Sequence, residues 1–321
     1  MDRPLSRKCR VQNAFVLGAG KGTRLRPLTE EIPKPLVPLV HRPLVTYAFD
    51  HLASVGIERF VVNTHHCAEA WETSFPDSDY LGKPVDFRFE PVLLETGGGI
   101  ANVADLLGND PFLVYNGDIL TDLPLEPALE RHASSDAIVT MILRSEGHAL
   151  HVGFDATTGL VPDIRNLLET GQPSTHQFTG IYLCNPEIHQ HLRGATPHSV
   201  IGPFLELAKI GKLGGVVIDE GSWLDLGTRD AYLDAQIAVL EEKIMVFRDL
   251  EPPIHPSAQV HAEAEIGPGS VIGSGATVGA NVRISQSVLW PGSKVIGGSN
   301  LERCIVRTGR TATGTLTNED I

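Results

Sequence analysis

From Val11 to about residue 245 the chain alternates short apolar runs with stretches whose apolar residues recur at helical spacing, the pattern of an α/β domain. "VQNAFVL", residues 11–17, has the length of a buried strand and runs straight into glycines. "PLVTYAFDHLASVG" puts Leu44, Tyr47, Ala48, Leu52 and Val55 on one helical face, with Gly56 as a natural stop. Further strands are expected in "IERFVVN", "VDFRFE", "PFLVYNGD", "HQFTGIYL" and "GVVID", and a closing helix in "DAYLDAQIAVLEEKI".

At Glu251 the pattern changes. An aliphatic residue now recurs at every sixth position: Ile254, Val260, Ile266, Ile272, Val278, Ile284 and Ile296, with Trp290 alone out of type. A six-residue period rich in glycine and small residues predicts a parallel β-helix, its aliphatic side chains stacked inward and its glycines at the corners. Glu251-Pro252-Pro253 reads as the linker. The expected organisation is an α/β domain over 11–248, a short left-handed hexapeptide-repeat β-helix over 252–308, and a flexible tail over 309–321 with little apolar content.

Composition narrows the function. The 321 residues are 42 % hydrophobic and 20 % charged, as in ordinary globular domains, and the formal net charge of -13 argues against nucleic acid or an anionic membrane as partner. Cys9, Cys67, Cys184 and Cys304 form no CxxC, which suits reduced thiols in a cytoplasm. The charged N-terminus "MDRPLSRKCR" lacks the apolar core of a signal peptide, and no apolar run reaches membrane-spanning length.

"LGAGKGTRLRPLTEEIPKPLVPL", residues 17–39, carries the most chemistry. A strand that ends in glycines offers backbone N–H groups that an anion can approach without side-chain obstruction. The spacing is neither the GxxxxGK[ST] of a P-loop nor the GxGxxG of a dinucleotide fold, because Gly18, Gly20 and Gly22 alternate. Pro33 and Pro35 bracket Lys34, which is expected to ride on a stiff extended segment and so to lose little entropy on meeting a phosphate.

This stretch closely resembles the signature of sugar-1-phosphate nucleotidylyltransferases. Four further segments strengthen the resemblance: "LLETGGGI", "VYNGDILTD", "FTGIYL" and "SWLDLGTRDAY". The first of these is similar to the nucleotide-reading loop of N-acetylmuramic acid 1-phosphate uridylyltransferases. The appended hexapeptide domain is similar to that of mannose-1-phosphate guanylyltransferases. The resemblance implies a Rossmann-like domain with a mixed, mainly parallel sheet, NTP and sugar 1-phosphate as substrates, and Mg²⁺ as cofactor. It implies in-line attack of the sugar phosphate on the α-phosphorus, with no covalent protein intermediate.

The resemblance assigns catalysis to Arg24, Lys34, Asp118 and Asp225, with Asp118 and Asp225 as the metal ligands. Mg²⁺ keeps several waters, so two carboxylates on strand ends suffice. Nucleotide contacts are expected from Leu17, Gly18, Ala19, Gly20, Lys21, Gly22, Thr23, Glu90, Glu95, Thr96, Gly97, Asn116 and Gly117. Sugar contacts are expected from Gly153, Arg165, Thr179 and Gly180, Arg165 standing where many relatives carry a lysine in a Glu-Lys-Pro triplet. By register Glu90 would read the base. A carboxylate matches the two-donor edge of guanine better than the single N–H of uracil, whereas the "ETGGGI" likeness favours uracil and loop amides are the alternative reader. The His65-His66 pair reads as packing, and His255 and His261 do not make the short repeat an acyltransferase. The competing class is a catalytically silent regulatory subunit of the same plan, and all four catalytic residue types being present favours an enzyme. A homo-oligomer joined through the hexapeptide domain is expected.

Overall fold

The computed structural model of the protein describes residues 11–321; Cys9 and the rest of the charged "MDRPLSRKCR" segment lie outside the described residues. Two compact units interleave along the chain. One holds residues 11–20, 51–117 and 122–223, the other 21–50, 118–121 and 224–321.

The first unit is built on a ten-stranded sheet. Its order runs Leu150–Asp155, Leu160–Ile164, Leu213–Val217, Val139–Arg144 and Ser174–Cys184, and continues with Phe112–Asn116, Asn13–Leu17, Arg59–Thr64, Lys83–Phe89 and Asp79–Tyr80. Phe112–Asn116, Asn13–Leu17, Arg59–Thr64 and Lys83–Phe89 are parallel neighbours, so their C-terminal ends share one edge of the sheet. Ser174–Cys184 then enters antiparallel, between Phe112–Asn116 and Val139–Arg144. Among the described residues four pairings of this sheet are parallel and six antiparallel, so it is mixed but not mainly parallel as expected. Short connections explain the difference. The four-residue "ATTG" link between Asp155 and Leu160 is too short for a crossover and leaves only antiparallel pairing. Phe15, Val61, Val114, Met141 and Tyr182 pack with Ile100, Leu107, Phe204 and Leu207 into one apolar core.

The second unit has its own core. Leu25, Leu28, Val37, Leu39 and Tyr47 pack with Leu226, Tyr232 and Val239, and with Val271, Val288, Trp290 and Ile305 from the repeat. The glycine-proline signature, the helix Arg229–Leu240 and the repeat thus share one interior, so compactness does not follow the linker at 251–253.

Three ladders of short parallel strands make up the repeat, the arrangement of a β-helix. Val260, Ile266, Ile272, Val278 and Ile284 pack in its interior as the hexad pattern requires. One coil then shortens: Gln259 pairs with Thr277, 18 positions on, but Val271 pairs with Val288, 17 positions on. From there Leu289, Val295, Leu301 and Val306 fill the interior, while Ile296 is exposed and Trp290 faces elsewhere. The Trp290 indole is buried against the helix Arg229–Leu240, its Nε1 donating to Tyr232 Oη at 3.1 Å, and Tyr232 Oη donating to Pro38 O at 2.6 Å. The residue that breaks the hexad pattern is the one that ties the repeat to the signature stretch. Trp290→Ala is therefore expected to destabilise the chain by about 3–5 kcal/mol, the usual range for a buried aromatic. Denaturant unfolding checks it; a loss below about 1 kcal/mol would show that the shared core does not depend on the indole.

The expected flexible tail at 309–321 is instead paired. Thr311–Ala312 and Thr315–Thr317 extend two ladders, and Ala312 and Leu316 supply small apolar contacts to the interior of the repeat. Arg229 Nε holds Asp320 Oδ1 at 2.6 Å, and Ile321 N donates to Ile305 O at 2.9 Å. Arg307 and Arg310 reach back to Pro27 O and Glu31, inside the stretch between Arg24 and Lys34.

Candidate active site

In the first unit the parallel strand ends carry the loops expected to meet a nucleotide. Leu17 closes its strand, and Gly117 N donates to Leu17 O at 3.1 Å, which fixes the exit of Phe112–Asn116 beside it. Gly18 has no room for a side chain: a Cβ there would lie 2.7 Å from Asn63 O and 2.8 Å from Trp71 Cζ2. The N–H groups of Gly18 and Ala19 both donate to Asn63 Oδ1, at 2.9 and 3.2 Å, and Gly20 faces open space. His51 steadies the strand that leads to Asn116. Its Nε2 donates to Leu123 O at 2.9 Å, and Nδ1 accepts from Tyr115 Oη at 3.1 Å. Burial lowers the His51 pKa to about 4, so the ring is neutral near pH 7.

Glu90 does not lie open at the strand end. It is fully buried; Oε1 accepts from Asn63 Nδ2 at 2.7 Å and Oε2 from Leu94 N at 2.9 Å. The residue follows the strand Lys83–Phe89, and its carboxyl group is turned inward under the loop that comes next. Glu95 is exposed at the start of the helix Glu95–Asn102. Gly97 and Gly98 N–H donate to His198 O, and Thr96 Oγ1 accepts from Val200 N at 2.9 Å, so segment 193–200 already uses these groups. A Cβ on Gly98 would lie 2.3 Å from Thr196 O, which explains the glycine run there.

The residues expected on the sugar side divide. Thr179 is buried, its hydroxyl donating to Ile142 O at 2.9 Å and accepting from Ile181 N at 3.2 Å, so it shapes the strand. Gly180 packs on the Asn116 side chain at a break in the strand register. Gly153 sits mid-strand, and Arg165 is exposed at a turn that Asp163 organises through Leu168 N and Thr170 N. Nothing in the local sequence pattern singles out Asp163. The signal available for Asn63 is a lone amide side chain directly after the apolar run Phe60–Val62 of its strand.

The second unit brings the four catalytic candidates together. Lys34 Nζ lies 2.8 Å from Asp118 Oδ2 and 3.2 Å from Asp225 Oδ1, and Arg24 Nη2 lies 3.7 Å from Asp225 Oδ2. The Lys34 side chain is 10 % exposed and that of Arg24 69 %. One cation is thus held in place and the other is free to reach outward. Lys34 does not ride on an extended segment. Only Pro33 is extended; Lys34 opens the 3₁₀ turn Lys34–Leu36, closed by Leu36 N donating to Pro33 O and Val37 N to Lys34 O. Leu226 N donates to Asp118 O, which brackets the two aspartates together. Gly227 lets the Arg24 guanidinium pack flat, since a Cβ there would lie 2.9 Å from Nη2. Lys21 and Thr23 are exposed, and Gly22 takes a left-handed φ of 57° at the start of the turn Thr23–Leu25.

Two carboxylates that converge on one ammonium also suit a cation that needs only two protein oxygens. Among the described residues no group of three or more His, Cys, Asp or Glu could cage a metal, and none is needed for Mg²⁺, which keeps water and phosphate ligands. The described cysteines, Cys67, Cys184 and Cys304, are not in disulfides, and no described helix is long and apolar enough to cross a membrane.

Comparison with known proteins places the chain in a family. Residues 13–242 match the nucleotidyl transferase family and residues 251–314 the GMPPB C-terminal domain. The chain is 32 % identical to a mannose-1-phosphate guanylyltransferase of Mycobacterium tuberculosis, over 91 % of this chain and 83 % of that one. It is 30 % identical to an N-acetylmuramate alpha-1-phosphate uridylyltransferase of Neisseria meningitidis serogroup B, over 70 % of this chain and 96 % of that one. The fold is shared with a UDP-glucose pyrophosphorylase from Acinetobacter baumanii, at a TM-score of 0.63 and 19 % identity, over 74 % of this chain and 96 % of that one. The chain belongs to the nucleotidyl transferase family, among the sugar-1-phosphate nucleotidylyltransferases.

Proposed function

We propose that this chain condenses an NTP with a sugar 1-phosphate to give an NDP-sugar and pyrophosphate. The observation that carries the reading is the Lys34 ammonium held between Asp118 and Asp225, with Arg24 on the rim. Phosphoryl chemistry of this kind needs placed charge and no protein nucleophile, and the cluster offers placed charge. Lys34 is positioned to neutralise the α-phosphate and the incoming sugar phosphate. Arg24, with its reach into solvent, takes the β- and γ-phosphates that leave. Asp118 and Asp225 would hold Mg²⁺, which when bound supplies Lewis-acid neutralisation of the phosphate oxygens.

The base is proposed to be guanine. The guanylyltransferase relative matches 91 % of this chain, against 70 % for the uridylyltransferase. With Glu90 turned inward, reading the base edge is proposed to fall to the backbone at the exposed Pro91 and Val92. The first substrate pair to test is GTP with mannose 1-phosphate, followed by UTP, dTTP and ATP against a panel of sugar 1-phosphates. Pyrophosphate release is the readout, and GTP is expected to give the highest kcat/KM. If no pair is turned over, a silent subunit becomes the better reading.

The exposed Ile254 and Ile296 of the repeat are proposed to be covered by a second copy of the chain. Deleting the repeat is the wrong test, because it strips the shared core. Light scattering on the full chain is expected to give a particle of more than one subunit; the mass of a single chain would contradict the proposal.

A further inference from the structure

Glu90 and Asn63 are buried polar side chains that take no part in the proposed phosphate chemistry. Together they form a chain of hydrogen bonds inside the first unit. Leu94 N donates to Glu90 Oε2 at 2.9 Å, and Asn63 Nδ2 donates to Glu90 Oε1 at 2.7 Å. Asn63 Oδ1 then accepts from Gly18 N at 2.9 Å and Ala19 N at 3.2 Å. Only one orientation of the Asn63 amide satisfies both ends, since the loop amides need an acceptor and the carboxyl group needs a donor. Gly99 leaves the space, as a Cβ there would lie 3.1 Å from Asn63 Nδ2 and 3.2 Å from Glu90 Oε1. The connection joins the glycine loop at 17–20 to the loop at 91–97 through two side chains that come from neighbouring strand ends.

We propose that Glu90 and Asn63 are a positioning pair that sets these two loops at the spacing a nucleotide requires, and that Glu90 does not read the base. The inference rests on the nucleotidylyltransferase reading and deepens it. One consequence is immediate. The first two amides of the glycine loop are committed to Asn63, so phosphate binding falls to Gly20 and the residues after it. A second is that the pair acts through polarity, donor against acceptor, and not through size. Glu90→Gln places a donor against a donor, either at Asn63 or at Leu94. Asn63→Asp places two carboxyl groups face to face. The double exchange restores every bond. The carboxylate now at position 63 accepts from Gly18 N, from Ala19 N and from the new amide at position 90, whose oxygen accepts from Leu94 N.

The test uses the full chain in four forms: unsubstituted, Glu90→Gln, Asn63→Asp and the double exchange. Amide hydrogen exchange at Gly18 and Ala19 is read without substrate, and kcat/KM is read with GTP and with UTP. Each single substitution is expected to unprotect both amides and lower kcat/KM for both nucleotides by at least about tenfold, as unmatched buried polar groups do. The GTP:UTP ratio should stay within about twofold, and the double exchange should recover protection and return kcat/KM to within about threefold of the unsubstituted chain. A tenfold shift of the GTP:UTP ratio in Glu90→Gln would make Glu90 a reader and overturn the proposal. So would a double exchange no better than the worse single substitution. Where a single variant does not fold, the double exchange decides alone, folded and protected in support or unfolded against. An unsubstituted chain that turns over no nucleotide would fail the enzymatic reading, while the exchange rates at Gly18 and Ala19 would still decide the pairing.

Discussion

Lys34→Ala is expected to lower kcat by about a thousandfold, while affinity for NTP alone changes far less. The Lys34 ammonium is almost fully enclosed and touches both aspartates, so it is placed before any substrate arrives. A charge fixed in this way stabilises the transition state without reorganisation, which is why its loss falls on the chemical step. Arg24 is mostly exposed and only 3.7 Å from Asp225, so Arg24→Ala should instead weaken the binding of NTP and pyrophosphate. Lys34→Arg is not expected to rescue, because a planar guanidinium does not fit a nearly closed site shaped around an ammonium. Isothermal titration with NTP, set beside single-turnover rates, separates the two residues. Equal loss of NTP affinity in both variants would contradict the division.

Asp118→Asn and Asp225→Asn are each expected to lower kcat by at least about a hundredfold at saturating Mg²⁺. The substitutions preserve shape and leave the turn at Asp118 and the strand Trp223–Asp225 undisturbed. The charge is what changes: an amide oxygen offers a weaker ligand to a hard cation and a weaker partner to Lys34 Nζ. Because Asp225 also faces Arg24, Asp225→Asn should in addition loosen the hold on pyrophosphate, seen as a raised KM in the reverse reaction. Near-normal turnover in either variant would remove that residue from the metal site.

The chemistry was more legible in the sequence than its support. Arg24, Lys34, Asp118 and Asp225 announced themselves by residue type next to glycines, prolines and strand ends, and the structure gathers all four. The parallel core strands followed from apolar runs, because a strand buried on both faces leaves no polar alternation. The hexad pattern likewise exposed the β-helix, up to the coil that is one residue short. What stayed hidden depends on partners remote in the chain. Glu90 follows a strand as an open residue would, yet Asn63, 27 positions away, takes its Oε1, and Asn63 itself reaches 45 positions to Gly18. No local period encodes such a pairing. Trp290 looked like a flaw in the repeat because its partner Tyr232 lies 58 positions earlier. The last residues looked featureless because Arg229, 91 positions before Asp320, supplies the contact that holds them.

Following the α-phosphate is the most direct trial of the nucleotidyl-transfer reading. GTP labelled at the α-phosphorus is incubated with mannose 1-phosphate, Mg²⁺ and the full chain, and the label is followed by chromatography. The expected result is label in an NDP-sugar, in step with unlabelled pyrophosphate, abolished by omitting the sugar phosphate and reduced at least about a hundredfold in Asp118→Asn. Label that stays in GTP for every NTP and sugar 1-phosphate tried, or that appears in GDP or GMP instead, would contradict it.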